Sequence, residues 1–270
     1  MQLLVKHDTV KKPSALILDM DGTFFLGDAL LPGALELLDW LNLVGLKFTF
    51  LTNNTSKSKS AYVSKLTRLG VRPGDARIYT AGDATISHLN CFYPNQSVFL
   101  VGTQSLRSSF SEAGVELVQQ DPDVLVLSYD TELTYQKLVD FCSFLRQGLP
   151  YIATHPDLNC PSPEGPLPDI GAFMALIETS TGRRPDLVLG KPNPGIVREL
   201  ARNWGVEVSE MLMVGDRLYT DIALGQTAGV QTVLVLSGET KRSDLPGSPF
   251  KPDLIFEDLG GLLKFLQSRL

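Results

Sequence analysis

The sequence is short of several things, and each shortage excludes a class of protein. Among its 270 residues there are three cysteines, Cys91, Cys142 and Cys160, odd in number and widely spaced. They read as buried or free thiols in a reducing compartment, not as a disulfide framework or a zinc site. No apolar run approaches the length of about 20 residues that a membrane-spanning helix needs. The first residues carry Lys6, His7 and Asp8 where a secretory leader requires an apolar centre. Basic charge is in deficit, with 24 Lys and Arg against 30 Asp and Glu, a net charge of −6. That balance, with no basic tail, argues against nucleic acid and against an anionic membrane as partners. Internal repeats and low-complexity stretches are also missing. What is left is a soluble, cytoplasmic globular protein, long enough for about two domains and for a substantial core.

What is present begins with Leu16-Ile17-Leu18-Asp19-Met20-Asp21-Gly22-Thr23. An aliphatic run closed by a turn signal predicts a buried strand. Asp19 and Asp21 then stand where that strand leaves its sheet, the place where open α/β sheets bind ligands. Two carboxylates so close repel each other when ionised, so a cation, a basic side chain or a shared proton must compensate them. Gly22 lets the backbone approach a ligand closely and offers an unhindered N–H. A strand followed by a plain Asp-Gly turn accounts for the same octapeptide equally well.

Beyond it the chain alternates. Helices are expected over Ala34–Val44, Ser58–Leu69, Asp83 to Cys91, Ser105–Ala113 and Thr134–Gln147, the last with Tyr135, Leu138, Val139, Cys142 and Leu145 inward. Further helices are expected after Asp169, after Asn193 as N-cap with Pro194 as the first helical residue, through Asp221 to Gly229, and from Asp258 onward. Strands are expected over Lys47–Leu51, Arg77–Thr80, Ser97–Val101, Val124–Leu127, Tyr151–Thr154, Leu187–Leu189, Met211–Val214, Gln231–Leu236 and Asp253–Phe256. Strands alternating with helices mean βαβ units and a mostly parallel sheet. Polar residues recur just after several strands: Asp19 and Asp21, Thr52-Asn53, Lys191, and Asp216 with Asp221. Each alone fits a capping loop, a solvated turn lysine or a favoured helix N-terminus. Their recurrence at one sheet edge is what points to a site. Pro156, Pro161, Pro163, Pro166 and Pro168 crowd one long loop, a feature that is often functional.

Taken together, Asp19-x-Asp21-Gly22-Thr23, Thr52-Asn53, Lys191 and Gly215-Asp216-x-x-x-x-Asp221 resemble, in order and placement, the motifs of the haloacid dehalogenase superfamily. The long gap between Thr52 and Lys191 resembles the inserted cap of its type IIA members. Gly190-Lys191-Pro192-Asn193-Pro194, Gly215 to Asp221, and Ala153-Thr154-His155-Pro156-Asp157 resemble the NagD-like, p-nitrophenyl phosphatase branch. The resemblance implies an α/β fold: a Rossmann-like core over residues 1–82 and 185–270 with an inserted α/β cap over 83–184. It implies a Mg²⁺-dependent phosphatase of small-molecule phosphate monoesters, working through an aspartyl-phosphate. Asp19 would be the nucleophile and Asp21 the acid and base. Asp19, Asp216 and the Asp21 carbonyl would hold the metal, with Asp221 holding Lys191 or a metal-bound water. Thr52 and the backbone N–H groups of Gly22 and Asn53 would bind the phosphoryl oxygens, and Lys191 would add positive charge. Thr154, Asp157 and Asn159 of the cap loop are candidates for contacting the rest of the substrate. Caps of this branch often form dimers, so a homodimer is one assembly to expect.

The chemistry of these residues agrees with that implication. A phosphate monoester is doubly negative, and a carboxylate reaches it only when charge is neutralised. Mg²⁺ takes oxygen ligands, commonly one or two carboxylates with substrate phosphate and water. Two other readings compete: a receiver-like phospho-acceptor module, against which Asp21 and the large insert count, and a phosphomutase or phosphonatase of the same superfamily. A phosphonatase needs a cap lysine for an imine, and the expected cap holds only Lys137, on a helix. Dehalogenation would leave Asp21 and the metal acids without a use.

Overall fold

The computed structural model describes residues 11–160 and 165–269. Lys6, His7 and Asp8, as well as Pro161 and Pro163 of the proline-rich loop, lie outside the described residues. The described chain divides into two compact units. One comprises residues up to Thr52, Val63–Ile78 and Lys191 onward; the other comprises Asn53–Tyr62 and Tyr79–Gly190. No helix among the described residues is long and apolar enough to cross a membrane.

The first unit is built on a six-stranded sheet. Its strands run, in spatial order, Leu254–Phe256, Gln231–Val235, Met211–Gly215, Ala15–Leu18, Lys47–Thr52 and Ile78–Thr80, the last of which carries the chain over the boundary at Tyr79. Ala15–Leu18 pairs in parallel with Met211–Gly215 on one side and Lys47–Thr52 on the other. All four of its residues are buried, as expected of a parallel strand covered on both faces. After this strand the chain builds outward in one direction, then returns to build outward in the other. The loops after Ala15–Leu18, Lys47–Thr52 and Met211–Gly215 therefore leave adjacent strands where the strand order reverses, the usual ligand crevice of an open α/β sheet.

The helices of this unit follow from their stripes. In Gly195–Trp204 the buried residues are Ile196, Val197, Leu200 and Ala201, one face at helical spacing. The start is displaced by one residue from expectation. Pro194 is the N-cap, and Asn193 Oδ1 accepts from the Gly195 N–H at 2.9 Å, so the asparagine caps from one residue earlier. The turn carrying Asp221, Leu218–Ile222, is a wide π-type turn before the helix Ala223–Ala228.

The second unit has its own four-stranded sheet, in the order Leu187–Val188, Tyr151–Ala153, Val124–Leu127, Val98–Val101, every neighbouring pair parallel. A core of Phe99, Leu125, Leu127, Phe141, Leu145, Tyr151, Ile170 and Ile177 lies against it. Two expected inward residues of the Tyr135–Arg146 helix point out instead: Tyr135 is 82% and Val139 41% exposed. The stripe is completed by Phe141, so the inward positions are 138, 141, 142 and 145. Val139 stands off that line, and Tyr135 projects from the first turn. A two-residue ribbon, Asn159–Cys160 with Leu167–Pro168, flanks the proline-rich segment.

Candidate active site

Asp19 continues the register of its strand, donating its N–H to Val214 O at 2.9 Å. The chain then turns sharply, with the Phe24 N–H on Met20 O at 2.9 Å. Gly22 sits in that turn at φ +88°, a conformation that costs other residues strain. A Cβ there would also fall 2.4 Å from Asp216 Oδ2. Glycine is thus required twice, by backbone and by space. Its N–H, expected to face a phosphoryl group, donates to Phe25 O at 2.8 Å, so Gly22 contributes clearance in this structure. Asp21 is half-buried and bridges to Phe25.

Lys191 is the centre of the charge arrangement. Its buried ammonium donates to Asp19 Oδ1, to Asp221 Oδ1 at 2.7 Å and to Leu51 O at 3.5 Å. Asp221 is fixed from its other side, Oδ2 accepting the Arg217 N–H at 3.1 Å. Asp216 accepts at Oδ2 from the Glu239 N–H at 2.6 Å and at Oδ1 from Thr23 Oγ1 at 3.4 Å. Carboxylate oxygens of Asp19, Asp216 and Asp221 all lie within 4.8 Å of one another, and all three residues are buried.

Three buried carboxylates thus lie together, two of them bonded to one ammonium, and the electrostatics record the crowding. Burial, then Asp19 and Asp221, push the Asp216 carboxyl well above the usual carboxylate range, against the opposing pull of Arg217 and the Glu239 N–H. Asp221 is also raised, by burial and by Asp19, with Lys191 opposing. Burial alone would lower the Lys191 ammonium, but Asp19 and Asp221 outweigh it and hold it above its ordinary value. A cluster with excess negative charge and oxygen donors only suits a hard divalent cation.

Thr52 ends its strand in the first unit and is buried. Asn53 opens the second unit, where its amide donates to Asp157 Oδ1 at 2.9 Å. Thr154 is buried, its hydroxyl 2.9 Å from His155 Nδ1. Asn159 is exposed on its short strand. The first unit therefore brings together Asp19, Lys191, Asp216 and Asp221, while the second holds Asn53, Thr154, Asp157 and Asn159. Sequence reasoning missed Thr23, Arg217 and the Ser237–Thr240 loop. The signal for that loop was available: it is a further polar turn directly after a buried strand, Ser237-Gly238-Glu239 following Gln231–Val235.

Comparisons with known proteins agree with this geometry. The haloacid dehalogenase-like hydrolase family matches residues 16–116, and the related HAD-hydrolase-like family matches residues 188–262. An acid sugar phosphatase of Staphylococcus aureus is 30% identical over 259 residues, 96% of this chain and 100% of that protein. The crystal structure of a 4-nitrophenylphosphatase from Thermotoga maritima superposes with a TM-score of 0.89 at 48% identity, covering 93% of this chain and 97% of that one. A putative NagD protein superposes with a TM-score of 0.87 at 46% identity, covering 95% and 99%.

Proposed function

Because the chain belongs to the haloacid dehalogenase-like hydrolases, as a phosphoric monoester hydrolase of the NagD-like, p-nitrophenyl phosphatase type, we propose that it hydrolyses small-molecule phosphate monoesters by double displacement on Asp19, with Mg²⁺ as cofactor. The observation that carries this reading is Lys191, held between Asp19 and Asp221 beside Asp216.

In the first step a carboxylate oxygen of Asp19 forms a bond to phosphorus as the bond to the leaving oxygen breaks. Asp21 gives that oxygen its proton. In the second step Asp21 takes a proton from water, the water oxygen bonds to phosphorus, and the bond to Asp19 breaks, returning the carboxylate and releasing phosphate. Lys191 supplies fixed positive charge where the phosphoryl oxygens gain negative charge. Asp221 keeps Lys191 aimed and charged. Thr52 offers its hydroxyl to a phosphoryl oxygen, with the Asn53 N–H as a second donor. Asp19 and Asp216, with the Asp21 carbonyl, are the groups that would hold Mg²⁺, which when bound contributes charge neutralisation at the transferring group.

The second unit is assigned the choice of leaving group, through the run Thr154 to Asn159. Sugar phosphates and aryl phosphates, the classes in the names of the relatives, are the first substrates to test. Within the expected cap a phosphonatase reading is disfavoured because Lys137 Nζ is tied to the buried Asp130 at 2.7 Å and to Glu132 O at 3.1 Å. The test is phosphate release from a panel of metabolite phosphates with Mg²⁺, for the parent and for Asp19→Asn. The variant should lose turnover of p-nitrophenyl phosphate by about 10⁴-fold or more while remaining folded. Near-parent turnover would overturn the nucleophile assignment, and phosphate retained on the protein without release would favour the phospho-acceptor reading.

A further inference from the structure

The loop after the Gln231–Val235 strand touches the carboxylate cluster more closely than any motif reasoning suggests. Ser237 Oγ donates to Gly22 O at 2.9 Å. The Glu239 N–H donates to Asp216 Oδ2 at 2.6 Å, and the Thr240 N–H to Asp216 O at 3.3 Å. A Cβ on Gly238 would lie 2.0 Å from Asp216 Oδ2, so only a bare backbone can pass there. The loop thus lies directly against one face of the Asp216 carboxylate.

The side chain of Glu239 is exposed, yet it is the piece that fastens the loop. Its Oε2 lies 2.9 Å from Arg217 Nε, and its Oε1 accepts from Tyr219 Oη at 2.9 Å. Arg217 is buried and directly follows Asp216, and Tyr219 lies two residues further on. One residue therefore grips Asp216 by its backbone and the chain just beyond Asp216 by its side chain. Beneath this, Leu218, Ile222, Leu234 and Leu245 form a small buried cluster, with Leu236 packed on it. The hydrophobic contacts hold the chain at Leu236 before the loop and at Leu245 beyond it, and the Glu239 contacts hold the loop itself.

We propose that Glu239 is a positioning residue for Asp216: by closing the loop onto Arg217 and Tyr219 it fixes the carboxylate that holds the divalent cation. The proposal rests on the reading of Asp216 as a cation ligand. The physical reason is preorganisation. A carboxylate whose one oxygen is already bonded to a fixed N–H presents the other in a single orientation, and partners behind a metal ligand typically carry a 10- to 100-fold share of affinity. An exposed ion pair with no such task would contribute little.

The experiment measures Mg²⁺ binding by calorimetry and, separately, the Mg²⁺ concentration for half-maximal hydrolysis of p-nitrophenyl phosphate. Glu239→Ala should weaken both by about 10-fold, leaving kcat at saturating Mg²⁺ within about twofold of the parent and the melting temperature little changed. Tyr219→Phe, which removes one of the two side-chain contacts, should give a smaller shift in the same direction. Glu239→Gln keeps an acceptor for Tyr219 and should recover part of the loss. Unchanged Mg²⁺ affinity in both Glu239 variants would overturn the proposal. A fall in kcat with unchanged affinity would overturn it too, making the loop a general structural support. A parent protein that binds no Mg²⁺ would instead remove the reading of Asp216 on which the proposal stands.

Discussion

Among the described residues each unit contains one buried cluster with the composition of a metal site, and the two behave in opposite ways. Asp19, Asp216 and Asp221 lie together in the first unit, and His155, Asp157 and Asp169 in the second; in both, ligand-type atoms lie within 4.8 Å of each other. In the second unit the bonds close on the fold. The His155 ring stands between Thr154 Oγ1 at 2.9 Å and Asp169 Oδ1 at 3.1 Å. Asp169 Oδ1 also takes the Ile170 N–H at 2.5 Å and caps the helix Ile170–Thr181. Asp157 Oδ1 takes the Asn53 amide, and its carbonyl takes the Gly171 N–H at 2.8 Å. Each group does the work of a cap or a loop tie. In the first unit the hydrogen bonds also exist, but Lys191 bonds only Asp19 and Asp221, and the carboxyls of Asp216 and Asp221 are pushed above the usual range. Residue type and burial do not separate a site from a structural network. The raised carboxyls of Asp216 and Asp221, pushed up by burial and by neighbouring carboxylates, set the first cluster apart.

The comparison breaks most severely at the metal. Exhaustive chelation should abolish phosphate release, by about 10³-fold or more if the cation carries most of the charge stabilisation of the transferring group. Mg²⁺ should restore it, and Ca²⁺ should restore little because its larger, looser shell suits the geometry poorly. Calorimetry on Asp169→Asn should find the same Mg²⁺ stoichiometry as the parent. Full activity after chelation, or loss of a binding site in Asp169→Asn, would dissolve the distinction between the clusters.

A smaller but still large effect is expected from Lys191→Met. Removing the ammonium withdraws transition-state charge, worth about 10²–10³ in kcat, and leaves Asp19 and Asp221 buried without their counter-ion. Breaking a buried pair from one side costs about 3–5 kcal/mol, so the variant should melt measurably lower, and Mg²⁺ should recover part of that loss. Parent-like turnover in this variant would remove Lys191 from the mechanism.

Much of this was legible in the sequence, for physical reasons specific to each part. The strand Ala15–Leu18 announces itself because a strand buried on both faces has to be apolar throughout. Asp19, Asp216 and Asp221 were recoverable because short loops after neighbouring parallel strands have few places to go; Lys191 was placed by the motif resemblance, since the strand before it, Leu187–Val188, lies in the second unit's sheet and not at the same edge. Tyr135 and Val139 were misplaced because several apolar residues on one helix permit more than one inward stripe, and packing against Phe99 and Tyr151 chooses Phe141. Glu239 was invisible for a different reason. Its grip on Asp216 is through a backbone N–H, which any residue but proline carries, and only the fold brings position 239 back to position 216. The Gly22 N–H was misjudged similarly, since its partner, Phe25 O, is set by the turn's geometry.

The smallest expected effect tests the second unit from within. Asp157→Ala removes the hydrogen bond from the Asn53 amide in a buried setting, and the loss of one such bond costs about 0.5–1.5 kcal/mol. At about 2–4 °C per kcal/mol for a chain of this size, the melting temperature should fall by a few degrees. Asp157→Asn retains an acceptor oxygen and should fall less. Asn159 is exposed, so Asn159→Ala should leave the melting temperature alone. Its expected effect is on selectivity: kcat/KM for a bulky sugar phosphate should drop more than that for p-nitrophenyl phosphate, because contacts to the non-reacting part of a substrate hold it in the reactive pose. If Asp157→Ala and Asn159→Ala slow every substrate by one common factor, the run from Thr154 to Asn159 is a structural tie like the cluster around His155, and the choice of leaving group is made by other residues.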